Sequence, residues 1–269
     1  MLSTEKRNPN STHIDKMDTL NMLKVISDEN YNAARAVEEA LPEIAKATEV
    51  ISKAFEKGGR LFFIGAGTSG RLGIMDAAEC PPTYGVSTEC VQGIIAGGKD
   101  CVFVASEGAE DSYQHGSDDV VSHGVRSGDV LVGISVAGGA DYVVGAMRKA
   151  KELGASVIAL TCNQNTKIEA ESDICIITDT GAEVVTGSTR MKAGTAHKMV
   201  LNMLTTAAMI KTGKVYENMM INVRPSNVKL KKRVIGIVCE ILGIDEELSE
   251  KYLTENDWSI RKTVEANKK

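Results

Sequence analysis

The segment with the clearest chemical character is a loop of glycines and hydroxyl side chains, Gly65-Ala-Gly-Thr-Ser-Gly-Arg71. It follows a short apolar run, Leu61–Ile64, and it precedes a stretch with helical patterning, Leu72–Cys80. Glycines let the backbone bend and approach an anion, and the helix that follows offers unpaired N–H groups and the positive end of its dipole. The hydroxyls of Thr68 and Ser69 add hydrogen-bond donors. This order of elements predicts a phosphate-binding loop.

The same loop fits the pattern Gly-x-Gly-x-x-Gly, which also occurs in dinucleotide-binding folds. Two features favour a phosphate monoester. The first is the hydroxyl pair, which suits a terminal phosphate. The second is the end of the next predicted strand, Ala96-Gly-Gly98, where a dinucleotide fold has an acid for the ribose 2′-hydroxyl; here the acid, Asp100, lies slightly too far along the chain. From these residues alone, a monoester site, a dinucleotide site and a purely structural turn all stay open.

Two glutamates downstream of the loop are candidates for acid–base chemistry. Glu79 lies at the end of the predicted helix, just before Pro81-Pro82, where a carboxylate opposes the helix dipole. Glu110 lies in Glu107–Ser112, at the start of a helix predicted over Glu110–Val121, where the dipole favours an acid. A solvated surface carboxylate is the simpler interpretation of each, and their spacing does not show that they meet.

Other polar residues could bind an anion or belong to an ordinary surface. Ser135 is a hydroxyl at the end of a predicted strand, and Arg190 and Lys192 lie in the small, polar segment Gly181–Thr195. The histidines are scattered without ligand spacing, so the sequence predicts no metal site.

Composition limits the class of protein. The chain has 269 residues, of which 43% are hydrophobic and 25% charged, as in a soluble protein with one large α/β domain and a small appendage. The net charge of −5 argues against a nucleic-acid partner. The six cysteines form no Cys-x-x-Cys pair and are predicted to be reduced thiols. No signal peptide and no transmembrane run is apparent, so we expect a cytoplasmic protein without a membrane partner.

The elements that must position these residues follow from periodicity. Residues 1–15 are polar and predict an extended arm. Three helices follow: Asp18–Ile26, Glu29–Ala40 with Ser27-Asp28 as its cap, and one that starts near Pro42 and ends at Gly58-Gly59.

From Arg60 onward, short apolar runs alternate with helical stretches, which predicts an α/β fold with a parallel sheet covered by helices on both faces. Ligands bind such sheets beyond the carboxyl ends of the strands. A long helix is predicted over Thr195–Lys211, and a small helical tail begins near Asn227. The expected organisation is residues 1–59 packing on the core, 60–225 as the main domain and 226–269 as a helical unit. The predicted strands are Arg60–Ile64, Val91–Ala96, Val130–Ser135, Ser156–Thr161 and Ile174–Ile177.

Several long motifs resemble one family, the N-acetylmuramic acid 6-phosphate etherases. They are Leu61–Gly85, Glu107–Ser112 and Gly181–Thr195, and the resemblance runs from about Ile14 into the tail. It implies the sugar-isomerase (SIS) fold, a flavodoxin-like, three-layer α/β/α sandwich that typically forms a homodimer, here with a shortened C-terminal helical unit.

The resemblance also implies chemistry and residue roles. The reaction is a lyase step that breaks the ether between C3 of the sugar and D-lactate by elimination and then adds water, with no metal or organic cofactor. Glu79 would protonate the departing lactate, and Glu110 would remove the C2 proton. The implied substrate- and phosphate-binding residues are Gly67, Thr68, Ser69, Arg71, Ser135, Glu183, Ser188, Arg190 and Lys192.

One loop departs from the family pattern. Where the family usually has Ser-Gly-Arg-Thr-Pro-Tyr, this chain has Ser135-Val-Ala-Gly-Gly-Ala-Asp-Tyr142, so only the first hydroxyl is kept. Its Ile-Ser-Val opening resembles the glucokinase regulatory protein, which implies an alternative function as a sugar-phosphate-binding regulator. An SIS isomerase is a third hypothesis. Retention of both Glu79 and Glu110 favours the enzyme.

Overall fold

The computed structural model describes residues 1–106, 108–223, 225 and 227–268. The chain divides into two compact units. The first comprises Met1–Ala78 and Glu89–Ala208, and the second comprises Glu79–Thr88 and Met209–Lys269. The three-segment organisation expected from the sequence stays a prediction.

The first unit contains a parallel sheet. Its described strands are β1 Leu61–Gly65, β2 Val91–Ile95, β3 Val130–Ile134, β4 Ser156–Thr161 and β5 Ile174–Ile177. Their order across the sheet is β2-β1-β3-β4-β5. Each of them lies within one residue of its predicted bounds. β1, β3 and β4 are almost wholly buried, and a strand buried on both faces is a continuous apolar run that is easily recognised.

The described helices are, in chain order, α1 Thr19–Glu39, α2 Leu41–Glu56, α3 Thr68–Tyr84, α4 Tyr113–Ser122, α5 Asp141–Glu152, α6 Lys167–Glu171, α7 Lys192–Lys211, α8 Val228–Leu242, α9 Glu246–Glu255 and α10 Ile260–Asn267. In none of them are length and apolar character together sufficient to span a bilayer.

Helices cover both faces of the sheet, as predicted. Successive side chains of a strand point to opposite faces. On one face, a side chain at Gly133 of β3 would collide with Met147 of α5, so the helix packs directly on the strand. On the other face, a side chain at Gly73 of α3 would lie 2.7 Å from Cβ of Phe63. The result is the expected three-layer α/β/α arrangement.

The N-terminal residues do not form the extended arm that the sequence predicts. They fold into three short 3-10 turns, Ser3–Glu5, Pro9–Ser11 and Ile14–Lys16. Their side chains bond to the first unit, with Asn8 Nδ2 donating to the Ala182 carbonyl at 3.0 Å and Ser11 Oγ to the Val184 carbonyl at 2.9 Å. Thr4, Asn8 and Ser11 are buried, so these polar side chains dock the segment, whereas most of its other polar side chains are exposed.

One helix prediction is wrong, and one short helix was not predicted. Ser27 and Asp28 do not cap a second helix but lie exposed within α1, which is continuous, because capping residues are tolerated on a solvated helix face. The short helix α6 was not predicted, although its signal is present. Thr166 Oγ1 accepts from Glu169 N at 3.3 Å while Glu169 accepts from Thr166 N at 3.2 Å, which is a capping box.

Candidate active site

A cleft of about 390 Å³ opens at the carboxyl ends of β1 and β3. The strand order reverses here, since β2 lies on one side of β1 and β3 on the other. Such a reversal is where open α/β sheets bind ligands. The described part of the lining comes from four segments, namely the glycine loop, a turn at residues 109–111, the loop after β3, and Thr189.

The glycine loop has the geometry of an anion cradle. Gly67 has a φ of +54°, a left-handed conformation that glycine adopts without strain. Helix α3 begins at the next residue, Thr68, so the positive end of its dipole lies at the cleft. A side chain at Gly70 would lie 2.6 Å from the Gly65 carbonyl oxygen and from Ile95 Cγ1, so only glycine lets α3 approach the sheet here.

The loop after β3 supplies a second group for an anion. Ser135 Oγ accepts a hydrogen bond from Gly138 N at 3.1 Å, which leaves the hydroxyl hydrogen available to a ligand in the cleft. Helix α5 begins at Asp141, and its N-cap, Ala140, has no capping side chain and lines the cleft. The starts of two helices therefore flank the same space, which favours negative charge there.

Glu110 lines the cleft, but it does not lie in a helix. The predicted helix begins at Tyr113 instead, because Ser112 Oγ accepts from His115 N at 3.2 Å and caps it. Glu110 therefore belongs to the preceding 3-10 turn, Ala109–Asp111, where it is exposed to solvent. The neighbouring Asp111 also lines the cleft and was not identified from the sequence. Glu107, in the same motif, lies outside the described residues.

Glu79 is placed differently. The prediction that its helix ends at Cys80 is wrong, since α3 continues through Pro81 and Pro82 to Tyr84. Glu79 is exposed, belongs to the second unit, and is not among the described residues that line the cleft. A single chain thus brings Gly67, Thr68, Ser69, Ser135 and Glu110 to one cleft and leaves Glu79 out of its lining.

The guanidinium of Arg71 bonds to the backbone of a neighbouring turn. Its Nε donates to the Val102 carbonyl at 2.8 Å and its terminal nitrogen to the Cys101 carbonyl at 2.7 Å. These bonds secure the 3-10 turn Lys99–Val102.

Lys192 and Glu183 lie in a buried cluster at the start of α7. Glu183 accepts from Lys192 N at 3.3 Å and from Ala193 N at 3.0 Å, and it thereby caps the helix. The ammonium of Lys192 pairs with Glu29 of α1, and Asn10 of the N-terminal segment donates to the same carboxylate at 2.9 Å. Glu29 gave no signal in the sequence, because its role depends on a partner far along the chain.

The ionisation of the two buried carboxylates follows from these partners. Burial raises the pKa of Glu183 above its ordinary value, against the two backbone hydrogen bonds that lower it. Burial also acts to raise the pKa of Glu29, but the hydrogen bonds from Lys192 and Asn10 outweigh it, so the net shift is downward. The Lys192–Glu29 pair is therefore a charged contact that holds α7 to α1.

Replacing Lys192 with methionine should cost about 3–5 kcal/mol of unfolding free energy near neutral pH, because the Glu29 carboxylate would be left buried without its cation. Urea denaturation measures this. Lys198→Met is the matched control, since Lys198 is an exposed lysine of the same helix. The loss should shrink as the pH falls, because an unpaired buried carboxylate has a raised pKa and becomes neutral. Equal losses for the two variants would contradict the prediction.

The segment before α7 carries three further polar residues. Thr189 lines the cleft, and its backbone carbonyl accepts from Gly194 N at 3.1 Å. Ser188 is partly exposed and Arg190 is exposed, and neither is among the described lining residues. Thr189 was not singled out from the sequence, although it lies inside the quoted motif Gly181–Thr195.

Fold and cleft together define a protein of the SIS class. The family model for the SIS domain matches residues 99–207, and that for the glucokinase regulatory protein N-terminal SIS domain matches residues 43–151. A phosphoheptose isomerase from Francisella tularensis has the same fold, with a TM-score of 0.54 and 18% identity over 71% of this chain and 98% of that one. A protein of E. coli CFT073 is also similar in fold, with a TM-score of 0.52 and 20% identity over 75% of this chain and 97% of that one.

The chain belongs to the N-acetylmuramic acid 6-phosphate etherase family. It is 51% identical to the Clostridioides difficile member over 98% of this chain and 86% of that protein. It is 49% identical to the Clostridium beijerinckii member over the same shares. The Photorhabdus laumondii member is 52% identical over 94% of this chain and 84% of that protein.

Proposed function

We propose that this protein is a carbon–oxygen lyase that cleaves N-acetylmuramic acid 6-phosphate to N-acetylglucosamine 6-phosphate and D-lactate. The observation that carries the proposal is the roughly 50% identity to etherases over nearly the whole chain. The cleft supports it, because the carboxylate residue Glu110 lines the same space as the glycine loop that is suited to a phosphate. The same relatives favour the lyase over the sugar-phosphate-binding regulator.

The proposed chemistry needs one base and one acid. Glu110 removes the proton from C2 of the open-chain sugar, and the electron pair forms a C2–C3 double bond as the C3–O bond to lactate breaks. Glu79 gives a proton to the departing alkoxide of lactate. Water then adds to the double bond, which restores the hydroxyl at C3 and the hydrogen at C2. The electron pair of the C3–O bond leaves with lactate, and the elimination and hydration together involve no net oxidation or reduction, so the sequence needs no oxidant or reductant.

The phosphate of the substrate is assigned to the glycine loop. Gly67, Thr68 and Ser69 would contact it, and Ser135 would donate its free hydroxyl hydrogen, between the starts of α3 and α5. Ser188 and Arg190 flank the cleft residue Thr189, and we assign them to the sugar. Arg71, Glu183 and Lys192 support these segments through their contacts with neighbouring backbone and side chains, and their assignment to substrate or phosphate binding stays a prediction.

The position of Glu79 suggests how the site is completed. It is exposed and absent from the described lining of the cleft in its own chain, yet the reaction needs an acid beside Glu110. We therefore propose that the protein acts as a homodimer and that Glu79 of one copy serves the cleft of the other. Cyclic two-fold dimers place equivalent surfaces against each other, so both clefts would be completed alike.

The decisive experiment is incubation of the purified protein with N-acetylmuramic acid 6-phosphate and an assay of released lactate. We expect stoichiometric lactate and N-acetylglucosamine 6-phosphate. Tight sugar-phosphate binding by calorimetry without lactate would favour the regulator, and ketose–aldose interconversion without lactate would favour an isomerase. The expected compartment is the cytoplasm, which the six free thiols support.

A further inference from the structure

The second unit holds a cavity of its own, with a volume of about 760 Å³. Every described residue of its lining belongs to Glu79–Thr88 or Met209–Lys269, and none of them lines the cleft. Small-molecule sites typically occupy roughly 300–1,000 Å³. The proposed lyase reaction makes no use of this space, so its lining needs a separate explanation.

The lining is rich in positive charge. Lys214, Lys231 and Lys262 all contribute, against Asp257 as the one acid among the described lining residues. Lys262 lies 3.4 Å from Asp257, and Lys231 lies 2.8 Å from Glu250 outside the lining. The ammonium of Lys214 has no such partner among the described residues. The cavity therefore keeps an excess of cationic groups, which suits an anionic ligand.

The cavity lining also contains an aromatic side chain, Trp258. Trp258 is the chain's single tryptophan, and the Lys231 ammonium lies 4.4 Å from the centroid of its ring. Asp257 and Trp258 have φ values of +55° and +57°, a left-handed conformation that is unfavourable for residues with side chains. The hydrogen bond from Trp258 N to the Leu253 carbonyl, at 2.7 Å, holds this turn. This unfavourable backbone conformation places the indole beside the Lys231 ammonium.

The start of α10 adds a third favourable group. The helix begins at Ile260 and is capped by Ser259, whose Oγ accepts from Lys262 N at 3.3 Å. Ser259 and Ile260 both line the cavity, so the positive end of the helix dipole lies beside it. Ile260 is buried in the apolar core of the second unit, which fixes the position of this helix end.

We propose that this cavity binds a phosphorylated small molecule. Its phosphate lies among Lys214, Lys231, Lys262 and the start of α10, and its ring lies against the indole of Trp258. Sugar phosphates and nucleoside monophosphates share this chemistry, and the experiment distinguishes them. The inference does not rest on the proposed lyase activity, because its residues and its readout are separate.

The intrinsic fluorescence of Trp258, the chain's single tryptophan, can be used to measure binding in this cavity. Titration of the full chain, with excitation that selects tryptophan, is carried out with glucose 6-phosphate, adenosine 5′-monophosphate and inorganic phosphate. We expect a saturable change in fluorescence with one of the first two, at a Kd below about 1 mM, and weaker binding of inorganic phosphate. Whichever of the two saturates identifies the source of the ligand.

Three variants make the test specific. Lys214→Gln should raise the Kd about tenfold, because it removes the lysine that has no ion-pair partner among the described residues. Lys232→Gln changes an exposed lysine of α8 outside the described lining and should leave the Kd unchanged. Thr68→Val alters the cleft and should leave the titration unchanged if the ligand binds beside Trp258. Absence of a saturable response up to about 10 mM, equal Kd values for the two lysine variants, or inorganic phosphate binding as tightly as the ring compounds would overturn the proposal.

Discussion

Replacing Glu110 with glutamine should abolish both lactate release and exchange of the C2 proton with solvent deuterium. A glutamine side chain keeps the size of the glutamate but cannot accept the proton, and a positioned base typically contributes about 10²–10⁴-fold to the rate. Glu110 is exposed in its turn, so the substitution should leave folding intact. The two rates are measured on the same protein sample by lactate assay and by proton NMR in deuterated water.

Glu79→Gln separates the two steps. If Glu79 is the acid for the leaving lactate, its loss stops lactate release while Glu110 can still exchange the C2 proton. Asp118→Asn, at an exposed acid of α4 away from the described cleft lining, is the control and should behave as the unmodified protein. Proton exchange that survives in Glu110→Gln but is lost in Glu79→Gln would reverse the assignment of the two roles.

The sheet could be predicted closely because its signal is local. The strands are apolar runs of four to six residues, and the glycine loop follows β1 directly. Ser156–Thr161 coincides with its prediction, since burial on both faces leaves little choice of residue type. Ile174–Ile177 also coincides with its prediction, because it is an apolar run even though only Ile176 in it is fully buried. The candidate cleft followed from the same logic, because the carboxyl ends of parallel strands lie at one edge of the sheet.

What the sequence could not show depends on distant partners. The pairing of Lys192 with Glu29 joins residues 163 positions apart, and no local pattern distinguishes such a lysine from one that binds an anion. The hydrogen bond from Asn8 to the Ala182 carbonyl is equally non-local. Because local sequence gives no sign of it, the polar N-terminal segment is predicted to be an extended arm. The signal for the helix cap at Ser112 is local, but the sequence makes a helix start at Glu110 equally plausible. Only the observed hydrogen bond from His115 N to Ser112 Oγ decides between them.

The role proposed for Glu79 also depends on a distant partner, so it must be tested with two chains rather than one. A motif places a residue in a family's site without saying which copy of the chain supplies it. Within one chain, the cleft lining includes Glu110 and not Glu79. Both side chains are exposed, so we expect each substitution to leave the fold intact.

Co-expression of Glu79→Gln and Glu110→Gln chains, each with a different affinity tag, should therefore restore lactate release that neither variant shows alone. In the heterodimer, one cleft combines both substituted positions and the other combines two intact glutamates, so tandem-purified heterodimers should have about half of the unmodified activity.

The matched control pairs an unmodified chain with one that carries both substitutions. If Glu79 serves its partner, each cleft of that control lacks one glutamate and the dimer is inactive. If both glutamates act within one chain, the outcomes are exchanged: the mixed single variants stay inactive and the control retains about half of the activity, because one chain then holds a complete site.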